Sequence, residues 1–114
     1  MDASSVLFLS SLAEGEFLPF RPGIEIRVLF GTPGSGGPAA ALLRYQPGAG
    51  VPAHEHPGHE LICVLSGSQS DERGTHPAGT ILVNAPGSHH TVRSAEGCLV
   101  LVVWERPVEM LAED

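Results

Sequence analysis

Glycine and proline interrupt this chain so often that no long helix can form. Fourteen glycines and ten prolines are spread along all 114 residues, and each costs a helix interior either backbone entropy or a hydrogen bond. The runs left between them are short and rich in β-branched and apolar residues. They predict strands over 24–30, 40–46, 60–65, 80–84, 90–93 and 98–105. The class is therefore all-β. Residues 98–104 are apolar at every position, so both faces of that strand must be covered, one by the core and the other by a second sheet or a partner subunit. A partner subunit would make the chain a homodimer.

A chain of 114 residues suits one domain, here 1–114, with a core over about 20–106 and an N-terminal strand or arm over 1–19. The formal net charge is −7 and the six basic residues are all arginines. That field repels phosphate backbones and argues against a nucleic-acid partner. No apolar run approaches the roughly 18 residues that cross a bilayer, and the first residues lack the basic flank and apolar length of an export signal. A cytoplasmic protein without membrane contact is expected, with Cys63 and Cys98 as reduced, buried thiols.

Two turn-like segments stand out. Residues 31–38 are Gly31-Thr32-Pro33-Gly34-Ser35-Gly36-Gly37-Pro38, with little to pack, and predict a mobile surface connection. They are no phosphate loop, because that needs a lysine and the chain has none. Asp71-Glu72-Arg73-Gly74 reads as a hairpin turn closed by Gly74 at positive φ, with its acids facing solvent.

All six histidines lie between positions 54 and 90. Side chains two apart on a strand share a face, so His54 and His56 can converge on one point. Glu60 follows across the bend at Pro57-Gly58 and adds an anionic oxygen. His90 lies 30 residues further on, where a neighbouring antiparallel strand would set it opposite the pair. Three imidazoles and a carboxylate suit zinc, iron(II), manganese(II), nickel or copper better than calcium or magnesium, which prefer all-oxygen shells. His59 and His89, each adjacent to a candidate ligand, are expected to point away, as is Glu55. His76, beside Pro77, is expected to be exposed.

The order Gly48, five residues, His54-x-His56, three residues, Glu60, six residues, Gly67 resembles the first signature of the cupin superfamily at every position. Gly79, five residues, Ala85-Pro86-Gly87, two residues, His90 resembles the second, with Ala85 at a usual proline and Ser94 at a usual asparagine. The resemblance implies an RmlC-like jelly roll, a double-stranded β-helix, with His54, His56, Glu60 and His90 as ligands of one divalent ion. Within cupins the chain is most similar to the ChrR-like group of zinc-binding anti-sigma factors. The residues that carry this are His54 to Glu60, Val64-Leu65-Ser66-Gly67, Asp71 to Gly74, Ala78-Gly79, Pro86 to His90 and Glu96-Gly97-Cys98-Leu99. Zinc is accordingly the first expectation, with Fe(II), Mn(II) or Ni(II) as alternatives. The segment that grips a sigma factor in those proteins needs its own histidines and cysteines; residues 1–53 hold neither, so anti-sigma activity is not implied.

The functional expectation is a metal-binding cupin that binds or senses a small molecule. A closed tetrahedral zinc leaves no open position, whereas a six-coordinate ion leaves two and admits a second reading: an oxygenase of a diketone-like or aromatic substrate, or an isomerase or lyase. Catalytic residues are not identified; Tyr45, Arg44 and Cys98 are the only candidates for an acid or base beside the ion. A metal-free structural barrel is the third reading, and it predicts that His56→Ala changes nothing.

Overall fold

The computed structural model describes residues 4–111. Ten strands follow a short 3-10 helix at Leu9–Glu14: β1 (Leu18–Arg21), β2 (Ile24–Phe30), β3 (Ala39–Tyr45), β4 (Gly50–Glu55), β5 (Glu60–Asp71), β6 (Gly74–Pro77), β7 (Ile81–Asn84), β8 (His89–Arg93), β9 (Cys98–Trp104) and β10 (Glu109–Met110). Hydrogen bonding runs in the order β1-β2-β3-β9-β5-β8-β4-β10, with β6 and β7 also paired to β5. All pairings are antiparallel, and the sheet curls into a jelly roll. Among the described residues no helix is long and apolar enough to cross a membrane.

The six expected strands are present, shifted by at most a residue at most ends, but β5 continues to Asp71. The strands β1, β4, β6 and β10 were not expected as such; proline, glycine or histidine in the first three hides the alternation, and β10 is only two residues long.

Register decides what fills the interior. Ala39, Ala41, Leu43 and Tyr45 of β3 pair with Trp104, Val102, Val100 and Cys98 of β9, and all eight join one core with Ile24, Ile62, Val64 and Val92. The intervening residues face outward, where Leu42 and Leu99 are covered by Leu12 of the 3-10 helix. Each such leucine is worth about 1.5–3 kcal/mol when fully buried. The second face of β9 is thus covered at Leu99 by the N-terminal segment.

β5 serves both halves of the roll. It pairs with β9 and β7 in its first part and with β6 and β8 in its last, and a register shift falls between Val64 and Ser66. Gly67 lies just beyond, at φ +72, where a Cβ would come within 2.9 Å of the Cys98 Cα. Left-handed backbone and close approach to β9 both require glycine, which explains the glycine that closes the first sequence motif.

Candidate metal centre

His54 of β4 stands opposite His90 of β8 in the ladder. His56 lies just past the end of β4, tied to the neighbouring turn by its N–H to Ser88 O (2.8 Å) and by Gly87 N–H to its own carbonyl (2.8 Å). Glu60 opens β5 on the far side of the Pro57-Gly58 bend. The four residues are no more than 5% exposed, and one donor atom from each lies within 4.8 Å of the others. The three imidazoles meet edge to face, with centroids 4.6 to 5.1 Å apart, so their edges converge instead of stacking.

Hydrogen bonds fix which nitrogen each ring turns inward. Nδ1 of His54 donates to Pro52 O (2.8 Å), and Nδ1 of His56 donates to Ser88 O (3.1 Å) and Ser88 Oγ (3.0 Å). A carbonyl only accepts, so these Nδ1 atoms carry a proton, and in the neutral ring Nε2 keeps its lone pair. His90 Nδ1 donates to Asp71 Oδ2 (3.1 Å). Nε2 of both His56 and His90 is buried without a hydrogen-bond partner, although His56 Nε2 sits 3.2 Å from Glu60 Oε1. Unsatisfied buried nitrogens are costly; a cation at their common focus relieves both. The residues fit a divalent metal.

Glu60 is held as firmly. Asn84 Nδ2 donates to Oε1 (2.9 Å) and Trp104 Nε1 to Oε2 (2.8 Å). Burial opposes its ionisation, yet the His56 ring and the Asn84 amide outweigh burial and hold its pKa below the usual value. For His54, burial dominates and lowers the pKa, keeping the ring neutral and able to ligate.

The hairpin corrects two expectations. Asp71 does not face solvent: its side chain is 2% exposed and receives Arg73 Nη2 (2.6 Å), Arg73 Nε and His90 Nδ1 (3.1 Å each), His76 Nε2 (3.0 Å) and Arg73 N–H (2.9 Å). Burial alone would raise its pKa, but Arg73, His76 and His90 together hold it well below the carboxylate range. His76 is likewise drawn in, its side chain only 15% exposed. Of the expected turn features, Gly74 takes positive φ and Glu72 is exposed, accepting from Thr91 N–H (3.0 Å). Asp71, Asn84, Ser88 and Trp104 were not anticipated as supports of the ligands.

The remaining histidines turn outward: His59 pairs with Glu105 (3.1 Å) and His89 is exposed. Glu55 is half-buried on β4, opposite His89. Ser94, at the usual asparagine, is fully buried and donates through Oγ to Ser68 O (2.6 Å). Among the described residues Cys63 and Cys98 form no disulfide; Cys98 is buried and Cys63 only half so.

A cavity of about 50 Å³ adjoins the centre, lined by His54, Glu60, His90, Tyr45, Gln69 and Arg21 among others. Of the three candidate acids and bases, Tyr45 alone reaches it. Burial, then the nearby Cys98 and Glu60, push its pKa up, so its hydroxyl stays protonated. Arg44 instead pairs with Glu25 (3.0 Å) and stacks over Phe17 (4.1 Å), and Cys98 does not line this cavity but borders another with Pro47 and Gly97. Residues 31–38 prove more than a connection: Pro33, Gly34 and Gly37 border a second cavity of about 150 Å³ that shares Phe20, Arg21, Trp104 and Val108 with the first.

Among curated proteins, none matches the chain. Solved structures resemble it closely in fold. An RmlC-like cupin from Ralstonia eutropha superposes with a TM-score of 0.74 at 20% identity, covering 86% of this chain and 68% of that one. An acetylacetone dioxygenase from Acinetobacter johnsonii reaches 0.81 at 14% identity, covering 99% and 81%. The complex of Rhodobacter sphaeroides SigE with the anti-sigma ChrR gives 0.69 at 29% identity, covering 82% of this chain and 50% of the other. The sequence itself matches the ChrR Cupin-like domain over residues 7–108. With a jelly roll, a converging His-His-Glu-His group and a family match along nearly its whole length, the chain belongs to the ChrR cupin-like domain family.

Proposed function

We propose that His54, His56, Glu60 and His90 hold one divalent transition metal, zinc in the first place, and that the protein binds or senses a small molecule beside it. The observation that carries this is the convergence of four buried donors, with all three Nδ1 atoms already engaged and Nε2 free to ligate. Nitrogen-rich donors favour zinc over calcium or magnesium, with Fe(II), Mn(II) and Ni(II) as the alternatives. When bound, the ion would supply Lewis acidity, and with three neutral imidazoles and one carboxylate the centre would carry a net charge near +1.

A second reading, a metal-dependent enzyme acting on a diketone-like or aromatic substrate, or an isomerase or lyase, is supported by the adjoining cavity, where the protonated Tyr45 could donate a hydrogen bond. Elemental analysis of protein purified without added metal, with the cobalt(II) spectrum, tests both. The expected result is about one ion per chain, lost in His56→Ala. A tetrahedral cobalt spectrum indifferent to small anions would sink the enzymatic reading, and wild type that takes up no metal would sink both.

Two further readings accompany the first. The outward residues Leu61, Ile81 and Val83 are 38%, 63% and 60% exposed and adjoin in the ladder through the Leu61–Val83 and Cys63–Ile81 pairs, which supports a homodimer through this face. The unpaired cysteines fit a reducing, cytoplasmic setting.

A further inference from the structure

We propose that Arg21 makes the cavity beside the metal centre a receptor for a small organic carboxylate with a short hydrocarbon body; the inference rests on the metal reading above and names its ligand class. Arg21 ends β1 and lines both the inner and the outer cavity, and it is the sole arginine lining either. The chain has no lysine. Around Arg21 the walls are apolar: Phe20, Leu43, Ile62, Val102 and Val108.

Among the described residues Arg21 makes no ion pair, and what sets it apart from the other arginines is its place on the cavity beside the centre. Arg44 pairs with Glu25 and Arg73 with Asp71, but the contacts of Arg21 are a long one to Met110 Sδ (3.5 Å) and a flank of the Phe20 ring at 5.4 Å. The one acid lining its cavity is Glu60, whose oxygens accept from Asn84 and Trp104 and whose Oε1 faces His56 and His90. A chain with thirteen acids and a net charge of −7 thus keeps a fork of guanidinium donors uncommitted in a half-buried, largely apolar chamber. Guanidinium recognises carboxylate through two parallel charge-assisted hydrogen bonds.

Size narrows the class. Each water-sized group needs about 10–15 Å³ of such space, so the inner chamber of about 50 Å³ admits only a few heavy atoms and the outer one of about 150 Å³ a short extension. The charge near +1 expected at the centre and the guanidinium together favour an anion, and the apolar walls favour a hydrocarbon body over a phosphate or a sugar.

Isobutyrate and its uncharged isostere isobutyramide, titrated calorimetrically into zinc-loaded and metal-free protein, test the proposal. Wild type should bind the acid at least about tenfold more tightly than the amide. Arg21→Gln should lose about tenfold or more for the acid alone, and Arg21→Lys should recover part of it. Zinc affinity and thermal unfolding should match wild type in both variants, which separates anion recognition from a structural role. In wild type alone, isobutyrate should shift the Arg21 Nε–H resonance. Equal affinity for acid and amide, an unchanged Arg21→Gln, or an unmoved resonance would overturn the assignment. Zinc titration of the same samples reads the metal proposal separately: if wild type takes up none, that reading fails, while the metal-free titrations still decide whether Arg21 holds the carboxylate.

Discussion

Replacing Asp71 by Asn removes one charge from the hairpin and reaches the metal centre through a single hydrogen bond. Asp71 receives five donors from Arg73, His76 and His90; an asparagine offers one oxygen to them and turns an NH2 group at the rest. Hydrogen bonds to charged groups are worth about 1.5–3 kcal/mol each, but Arg73 is 46% exposed and regains water, so the expected loss of stability is about 2 kcal/mol and not the ~3–5 kcal/mol of a broken, fully buried pair. The effect on metal is distinct. Asp71 orients His90 and makes its imidazole a stronger donor, and losing such a partner typically costs about 10–100-fold in affinity, or about 1.4–2.8 kcal/mol. Competition against a chromophoric chelator measures the affinity, and urea unfolding of the metal-free protein measures the stability.

The sign of the pH dependence makes this prediction sharper. The folded-state pKa of Asp71 is depressed, so its contribution is fully present above the ordinary carboxylate value of about 3.9 and is lost as pH falls towards the folded value. The stability gap between wild type and Asp71→Asn should therefore be constant from pH 7 to about 5 and close on further acidification. Zinc affinity within about twofold of wild type would refute the coupling to His90. A gap that persists undiminished in strong acid would refute the electrostatic origin.

Zinc affinity itself should stay level near neutral pH and fall as protons compete for the imidazole lone pairs below about pH 6, and because burial depresses the His54 pKa, that ring should hold its share below the ordinary value of about 6.5. Affinity flat from about pH 7.5 to 4.5 would contradict histidine ligation. If a second copy covers the outer sheet face, Val83→Asp should shift a sedimentation-velocity dimer to monomer without altering zinc uptake; wild type that sediments as a monomer at every concentration would end that proposal.

Much of the site was legible from sequence because its signal is local. His54 and His56 share a strand face by simple alternation, Glu60 follows one bend later, and the interval to His90 suits a return strand. The fold class followed from where glycine and proline allow strands to exist. The supports of the site were not legible in this way. Asn84 and Trp104 reach Glu60 from 24 and 44 residues away, and nothing in their own neighbourhoods points inward to it.

Asp71 shows the physical limit most clearly. Along β5, Glu60, Ile62 and Val64 are buried, so alternation places odd-numbered residues outside; yet Gln69 is buried and the Asp71 side chain is only 2% exposed. The register shift between Val64 and Ser66 inverts the parity of the rest of the strand. Sequence by itself determined which side chains could ligate a metal, because donor chemistry and period-two spacing are properties of the chain. Which residues buttress them, and that Arg21 shares their chamber, was decided only when a bulge and the curling of the sheet fixed which way each side chain faces.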